Sequence, residues 1–292
     1  MIWLIGIVIA FMMFCLGVML YDGTHFVVHD YTISTDKISK NYCMVVLSDL
    51  HDKTYGKNNE KLIKAIEEKH PDGIYVAGDL VTAEKGADPH CALSLLKNLR
   101  DKGYPIYYGY GNHEQKLLRF PQRFDNMGVA YEKKLYELGV TVLKNESITI
   151  PDYRFCVTGL AIEHQIYYKR FQRTVMEKKY LEDTLGENDP GTYTILLAHN
   201  PDYFDAYANW GADLVLSGHV HGGIVKLPLL GGVISPSFRL FPKYDGGLFR
   251  EGKSTMVLSR GLGTHTLPIR LFNPAELVTV ELKTKEKDKL EK

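Results

Sequence analysis

The sequence predicts an α/β fold, a sheet covered by helices, carried behind one apolar N-terminal helix. Three observations lead there. Short β-branched or aromatic runs alternate with stretches that have one apolar helical face. Most of these runs end in Asp, Asn or His beside a turn residue, and open α/β sheets gather ligands at the carboxyl ends of their strands. The first twenty residues contain no charged side chain.

Met1 to Leu20 is almost wholly apolar. Twenty helical residues span about 30 Å, the thickness of a bilayer's hydrocarbon core. A cleavable leader has a basic n-region, a shorter apolar core and a small-x-small cleavage site. Here no Lys or Arg precedes Lys37 and no clear A-x-A follows. Residues 1–21 are therefore expected to be an uncleaved, single-pass anchor, and 22–41 a linker and first strand. Lys37 and Lys40, behind the anchor, favour a cytoplasmic C-terminal side by the positive-inside rule.

Buried strands are predicted at Cys43–Leu47, Ile74–Ala77, Ile106–Tyr108, Thr194–Leu197 and Leu214–Leu216, with later ones at Thr255–Ser259 and Leu277–Leu282. A helix is predicted over Asn58–Lys69, with Leu62, Ile63 and Ile66 on its apolar face and Pro71 past its end. A second begins with Asp88 as N-cap and Pro89 at the first position, and carries Leu93, Leu96 and Leu99. Ile166–Asp189, charged and aromatic, reads as a helix and loop over the site or as a solvated excursion. Gly222–Gly247 is rich in Gly and Pro and reads as mostly loop. The main folded domain is expected over 42–282, and a charged, flexible tail over 283–292.

Across the 292 residues, 35 Lys and Arg balance 35 Asp and Glu. No basic footprint for nucleic acid results, and no nucleic-acid partner is expected. None of the four cysteines forms a C-x-x-C pair, so a thiolate zinc site has no support. Cys43 and Cys156 lie in strand-like runs and are expected to be buried free thiols.

The chemistry lies at the strand ends. The first predicted strand ends in Ser48-Asp49-Leu50-His51, the second in Gly78-Asp79, and the third runs on into Gly111-Asn112-His113-Glu114. The fourth ends in Ala198-His199-Asn200 and the fifth in Ser217-Gly218-His219-Val220-His221-Gly222-Gly223. Carboxylate, amide and imidazole donors of this kind suit Zn, Mn or Fe. Two His at i and i+2 point to one side of an extended segment. Any one of these motifs is weak evidence, and a lone His is more often surface or core. The five together, in order and each after an apolar strand, are hard to obtain without a metal site.

The ordered set D-x-H, G-D, G-N-H-E, H and G-H-x-H resembles the calcineurin-like metallophosphoesterase superfamily over about Tyr42 to Leu282. AHNPD at Ala198–Asp202, GHVHGG with its KLP continuation, FPKYDGG at Phe241–Gly247 and SRGLG at Ser259–Gly263 resemble one bacterial branch. That branch includes membrane-associated enzymes similar to UDP-diacylglucosamine pyrophosphatases. The resemblance implies a four-layer αββα sandwich of two mixed β-sheets and two divalent metal ions, Mn, Zn or Fe. It implies that Asp49, His51 and His221 hold one metal and Asn112, His199 and His219 the other. Asp79 and a hydroxide would bridge them. His113 would be catalytic rather than a ligand, touching the phosphoryl group and the leaving oxygen. Glu114 stands where the family more often has Asp, a position that orients a neighbouring His.

The expected function is hydrolysis of phosphate esters or phosphoanhydrides. The anchor suggests a lipid-linked or membrane-proximal substrate, and the branch suggests an extracytoplasmic catalytic domain. The alternatives are a broad phosphatase or phosphodiesterase on soluble nucleotides or phosphoproteins, and a metal-binding scaffold without catalysis. Arg260 is a candidate phosphate contact, and His265 lies in a loop near the expected mouth.

Overall fold

The computed structural model describes residues 1–163, 166, 175–223, 225–227, 231–234, 242–264 and 269–285. Helix α1 (Ile2–Asp22) leads through three residues into strand β1 (Phe26–Thr35), and β2 (Tyr42–Leu47) follows. Then come α2 (Glu60–Glu67), β3 (Gly73–Val76), α3 (His90–Asp101), β4 (Ile106–Gly109), α4 (Asn112–Arg119), α5 (Met127–Glu137) and β5 (Thr141–Leu143). The second half holds β6 (Glu146–Ile150), β7 (Phe155–Leu160), α6 (Lys178–Leu185), β8 (Tyr193–Ala198), α7 (Phe204–Trp210) and β9 (Leu214–Ser217). The strands β10 (Val225–Leu227), β11 (Gly231–Ile234), β12 (Gly247–Glu251), β13 (Ser254–Leu258) and β14 (Ala275–Thr284) complete the order.

Two six-stranded mixed sheets result. One has the order β1-β14-β2-β3-β4-β5, the other β12-β13-β9-β8-β7-β6. Strands β2 to β5 are parallel, as are β7, β8, β9 and β13, so the motif-bearing ends all emerge on one side of their sheets.

The layering follows from the two-residue period of a strand. Met44 and Val46 of β2 face the core between the sheets, with Ile195 and Leu197 of β8. Val45 and Leu47 face outward onto Leu62 and Ile66 of α2 and Leu95 and Leu99 of α3. Leu196 and Ala198 face the other way, onto Leu181 of α6 and Phe204, Tyr207 and Trp210 of α7. Each sheet is thus apolar on both faces, which is why its strands read as continuous apolar runs. The same alternation divides the Tyr-rich stretch: Tyr107 lies between the sheets, while Tyr108 and Tyr110 lie on the helix side.

The expected strands are all present, each within about one or two residues of its predicted ends. Helix α3 starts after Pro89, and Asp88 Oδ1 accepts the His90 amide at 2.9 Å. Two expectations change. Cys43 and Cys156 are free but only half-buried, each the second residue of its strand. Gly222–Gly247 contains an antiparallel ribbon of β10 and β11 as well as loop. Of Ile166–Asp189, the charged part at 167–174 lies outside the described residues, while α6 follows with Leu181 fully buried. His164, His265 and the tail from 286 also lie outside them.

Strands β5, β6 and β12 were not anticipated. Thr141 of β5 pairs with Tyr107, far off in the sequence, and β6 and β12 are edge strands that form by pairing with β7 and β13.

Most apolar side chains of helix α1 between Ile2 and Tyr21 are exposed, and the helix is long and apolar enough to cross a membrane.

Candidate metal centre

Each site residue leaves its strand through a sharp turn. Asp49 (φ 51°), His51 (45°), Asp79 (54°), His219 (76°) and His221 (51°) all adopt left-handed backbone. Such a conformation costs on the order of 1–3 kcal/mol per non-glycine residue and is held only where the surroundings over-determine it. Five of the seven expected ligands share it, which ties the strain to the site rather than to any one loop.

The glycines beside them answer to crowding. A Cβ on Gly218 would overlap Ser48 Oγ and Asp49 Oδ2, and one on Gly111 would overlap the Asp79 carboxylate. Only glycine lets these backbones pass so close to the acidic groups.

The expected residues converge from both sheets. Ligand atoms of Asp49, His51 and His221 lie within 4.8 Å of one another, as do those of Asp79, His199 and His219. A third group, His51, Asp79 and His113, joins the two. Asp49 Oδ1 is 3.3 Å from His221 Nε2, 3.7 Å from His199 Nε2 and 4.0 Å from His51 Nε2. His51 stacks on His221 with ring centroids 5.0 Å apart, and meets His113 edge-on at 4.8 Å.

The outer atoms of these side chains are held. His199 Nδ1 lies 2.6 Å from the carbonyl of Ala77, so it donates there and leaves Nε2 facing Asp79 Oδ2 at 3.0 Å. His221 Nδ1 lies 3.3 Å from the carbonyl of Gly263. Backbone acceptors of this kind set the tautomer that frees the other ring nitrogen for a cation. Asp49 accepts from Ser48 Oγ at 2.6 Å and from the His219 amide at 3.0 and 3.1 Å. Asp79 Oδ1 accepts the His113 amide at 2.8 Å.

His113 differs from the others. The Ala83 amide donates to its Nδ1 at 2.7 Å, so the neutral ring carries its proton on Nε2. Glu114 holds backbone. Its Oε2 accepts from the amides of Asp79 and Gly111 at 3.0 and 2.9 Å. Its Oε1 accepts from the Leu80 amide at 2.9 Å and the Tyr108 hydroxyl at 2.8 Å. The longer side chain thus ties the start of α4 to the turn that carries Asp79.

The electrostatics of the side chains ask for a cation. Burial pushes the Asp49 carboxyl up, against the pull of His199. Burial also opposes charge on Asp79, but His199 and His113 overcome it and hold the carboxyl well below the usual range. His199 is raised to about 10, because Asp79 and Asp49 outweigh its burial. Burial and the neighbouring His199 lower His219 to about 3. Burial, reinforced by Asp79, raises Glu114 to about 7. Two buried carboxylates here borrow positive charge from an imidazole, which bound cations supply directly.

The donor set fits metal ions by a second test. Asn112 Oδ1 is buried and, among the described residues, has no hydrogen-bond partner. A buried carbonyl oxygen is rarely left so unless something absent from the chain itself takes it.

Arg260 lies beside Glu276: its amide donates to Glu276 Oε1 at 2.7 Å and its Nε is 3.7 Å from Glu276 Oε2. Three supporting residues escaped the sequence reading. Ser48 holds Asp49. Asn273 donates to the carbonyls of His221 and Gly223 at 2.7 Å each. Buried Arg270 donates to the carbonyls of Arg260, Gly261, Gly263 and Asn273. A lone Arg in the apolar run Pro268-Ile269-Arg270-Leu271-Phe272 was the available cue.

Comparison with known proteins agrees with this geometry. The calcineurin-like phosphoesterase profile matches residues 44–223. The chain is 28% identical over 244 residues to the uncharacterized metallophosphoesterase YkuE of Bacillus subtilis, covering 82% of this chain and 79% of that protein. It is 28% identical over 282 residues to an uncharacterized metallophosphoesterase of Aquifex aeolicus, covering 92% and 97%. It is 25% identical over 260 residues to a Danio rerio transmembrane protein with metallophosphoesterase domain, covering 82% of this chain and 53% of that protein. With a profile spanning most of the catalytic strands and a cluster of Asp and His able to hold metal, the chain belongs to the calcineurin-like phosphoesterase family and is a metal-dependent hydrolase of phosphoesters.

Proposed function

We propose that this chain is a membrane-anchored enzyme with a two-metal centre that hydrolyses phosphate esters or anhydrides on a lipid-linked substrate. The observation that carries the two-metal reading is the interlocking of the ligand groups: the third group shares His51 with the first and Asp79 with the second. Asp49, His51 and His221 would hold one ion, and Asn112, His199 and His219 the other. Asp79 would be common to both.

Divalent cations held there would supply Lewis acidity, activating water as a nucleophile and neutralising charge on phosphoryl oxygens. The chain's own residues supply the rest. His199 and His113 keep Asp79 ionised, and amide and hydroxyl donors fix both carboxyl groups in place. His113 holds a proton on Nε2, available to the leaving oxygen or to a charged phosphoryl oxygen.

Support for a membrane substrate comes from the position of α1. Only three residues separate it from β1, and Lys53 Nζ donates to the carbonyl of Gly23 at 2.8 Å. Phe26 pairs with Ala275, and Val278 pairs with Val46. At the end of α1, Asp22 accepts the Asn273 amide, and Asn273 Nδ2 donates to the carbonyl of the candidate ligand His221. A phosphate at headgroup depth is then within reach of the site. The catalytic domain is assigned to the outer side of a plasma membrane on its resemblance to an exported branch.

The test is metal analysis of the full chain in detergent with hydrolysis of bis-p-nitrophenyl phosphate and p-nitrophenyl phosphate. Two metals per chain are expected. Asp79→Asn should lose metal and activity, and His113→Ala should keep metal and lose activity by about 10²–10⁴-fold. A chain that binds no metal overturns the reading. For the substrate class, equal turnover of a vesicle-borne phospholipid pyrophosphate and of its soluble headgroup would count against the lipid assignment. Protease protection of the domain in intact cells would reverse the side.

A further inference from the structure

The end of the apolar helix is wired to the site. Asp22, its last residue, is buried, and its Oδ2 accepts the Asn273 amide at 3.0 Å. The Asn273 side chain is fully buried, and its Nδ2 donates to the carbonyls of His221 and Gly223. Two carbonyl acceptors on one side fix which end of that amide is nitrogen. The backbone just before it is strained: Phe272, a bulky residue, sits at φ 55°, with its ring 6.2 Å from that of Phe14 in α1. A bulky side chain in left-handed backbone persists only where its surroundings hold it.

We infer that Asn273 is a positioning residue that ties the N-terminal helix to the loop of His221, with Asp22 as its counterpart on the helix. The route is short and made of named atoms: Asp22 Oδ2, the Asn273 amide, then Asn273 Nδ2 to the carbonyls on either side of Gly222. Gly222 itself must be small, since a Cβ there would overlap Asn273 Oδ1. The loop is therefore held by Asn273, which Asp22 in turn holds at its amide and Arg270 at its carbonyl. In consequence, the ion held by Asp49, His51 and His221 is bound more tightly when the helix is seated than when it is displaced. This consequence rests on the ligand partition proposed above; the tie itself does not.

Two measurements on the full chain in detergent separate these. The first uses metal-free protein and hydrogen exchange at the amides of Val220 to Gly223. Asp22→Ala should speed exchange there by about tenfold, the equivalent of one lost hydrogen bond, and Asn273→Ala, which removes two, by at least as much. Asp22→Asn keeps an acceptor oxygen and should match wild type. Exchange unchanged in Asp22→Ala, or equally raised over the whole domain, overturns the tie. Should Asn273→Ala fail to fold, the Asp22 pair still decides.

The second titrates Mn²⁺ into each variant. Both alanine variants should weaken one of two sites by about 10–100-fold, the usual effect of removing a support behind a ligand. The other site should be unchanged. Equal weakening of both sites, or of neither, overturns the inference for metal binding. If wild type binds no metal, the two-metal reading fails and the metal consequence falls with it, while the exchange result judges the tie alone.

Discussion

Glu114 offers the sharpest test of how the site is held. The carboxylate takes four donors, two on each oxygen. Glu114→Gln keeps the shape and replaces one oxygen with a donor. On the Oε2 side the new NH₂ would face two backbone amides, neither able to accept. On the Oε1 side it would face the Leu80 amide and the Tyr108 hydroxyl, and the hydroxyl can turn to accept. The variant should choose the second arrangement and leave the Leu80 amide without its acceptor. A buried donor left unsatisfied costs about 1–3 kcal/mol. Glu114→Ala removes the acceptor of three backbone amides and should cost about 3 kcal/mol or more on the same basis. The assay is urea unfolding of the full chain in detergent with a chelator present, so that metal linkage does not enter. Repeating it with Mn²⁺ should show a smaller metal-dependent gain in both variants, because the Asp79 turn is no longer fixed. Glu114→Gln as stable as wild type, with an undiminished metal gain, would refute the view that Glu114 works by accepting from that backbone.

Further outcomes follow from other atoms. Gly218→Ala places a methyl onto Ser48 Oγ and Asp49 Oδ2, and thermal melting should show a loss of about 1–3 kcal/mol or more together with loss of metal. Asn112→Ala removes an oxygen with no partner among the described residues; metal-free stability should stay within about 0.5 kcal/mol of wild type, while metal stoichiometry by elemental analysis falls. Arg270→Lys keeps the charge but loses the planar fork that reaches four carbonyls. Urea unfolding should show a loss of about 2–4 kcal/mol, at about 1–3 kcal/mol for each strong hydrogen bond removed.

The central parallel strands were legible because both their faces are buried, which makes them continuous apolar runs. The motifs at their ends were legible because every candidate ligand follows such a run within a few residues. The edge strands β5, β6 and β12 were not; Glu146–Ile150, for one, is mostly exposed and becomes a strand only by pairing with Phe155–Leu160. Glu114 was visible as a departure from a motif, but its work on the amides of Asp79 and Leu80 depends on the first turn of α4 meeting a turn 35 and 34 residues away.

What the sequence determined alone was the α/β class, the apolar helix and the candidate donors at the strand ends, because each is written in local period, length and side-chain type. What only the tertiary structure decided was which of those residues meet and what holds them. Gly263 and Asn273 stand behind His221 from 42 and 52 residues away, and Asp22 reaches Asn273 across 251 residues. Hydrogen bonds of that span leave no periodic trace in a chain. They arise when two sheets and a terminal helix close around one point.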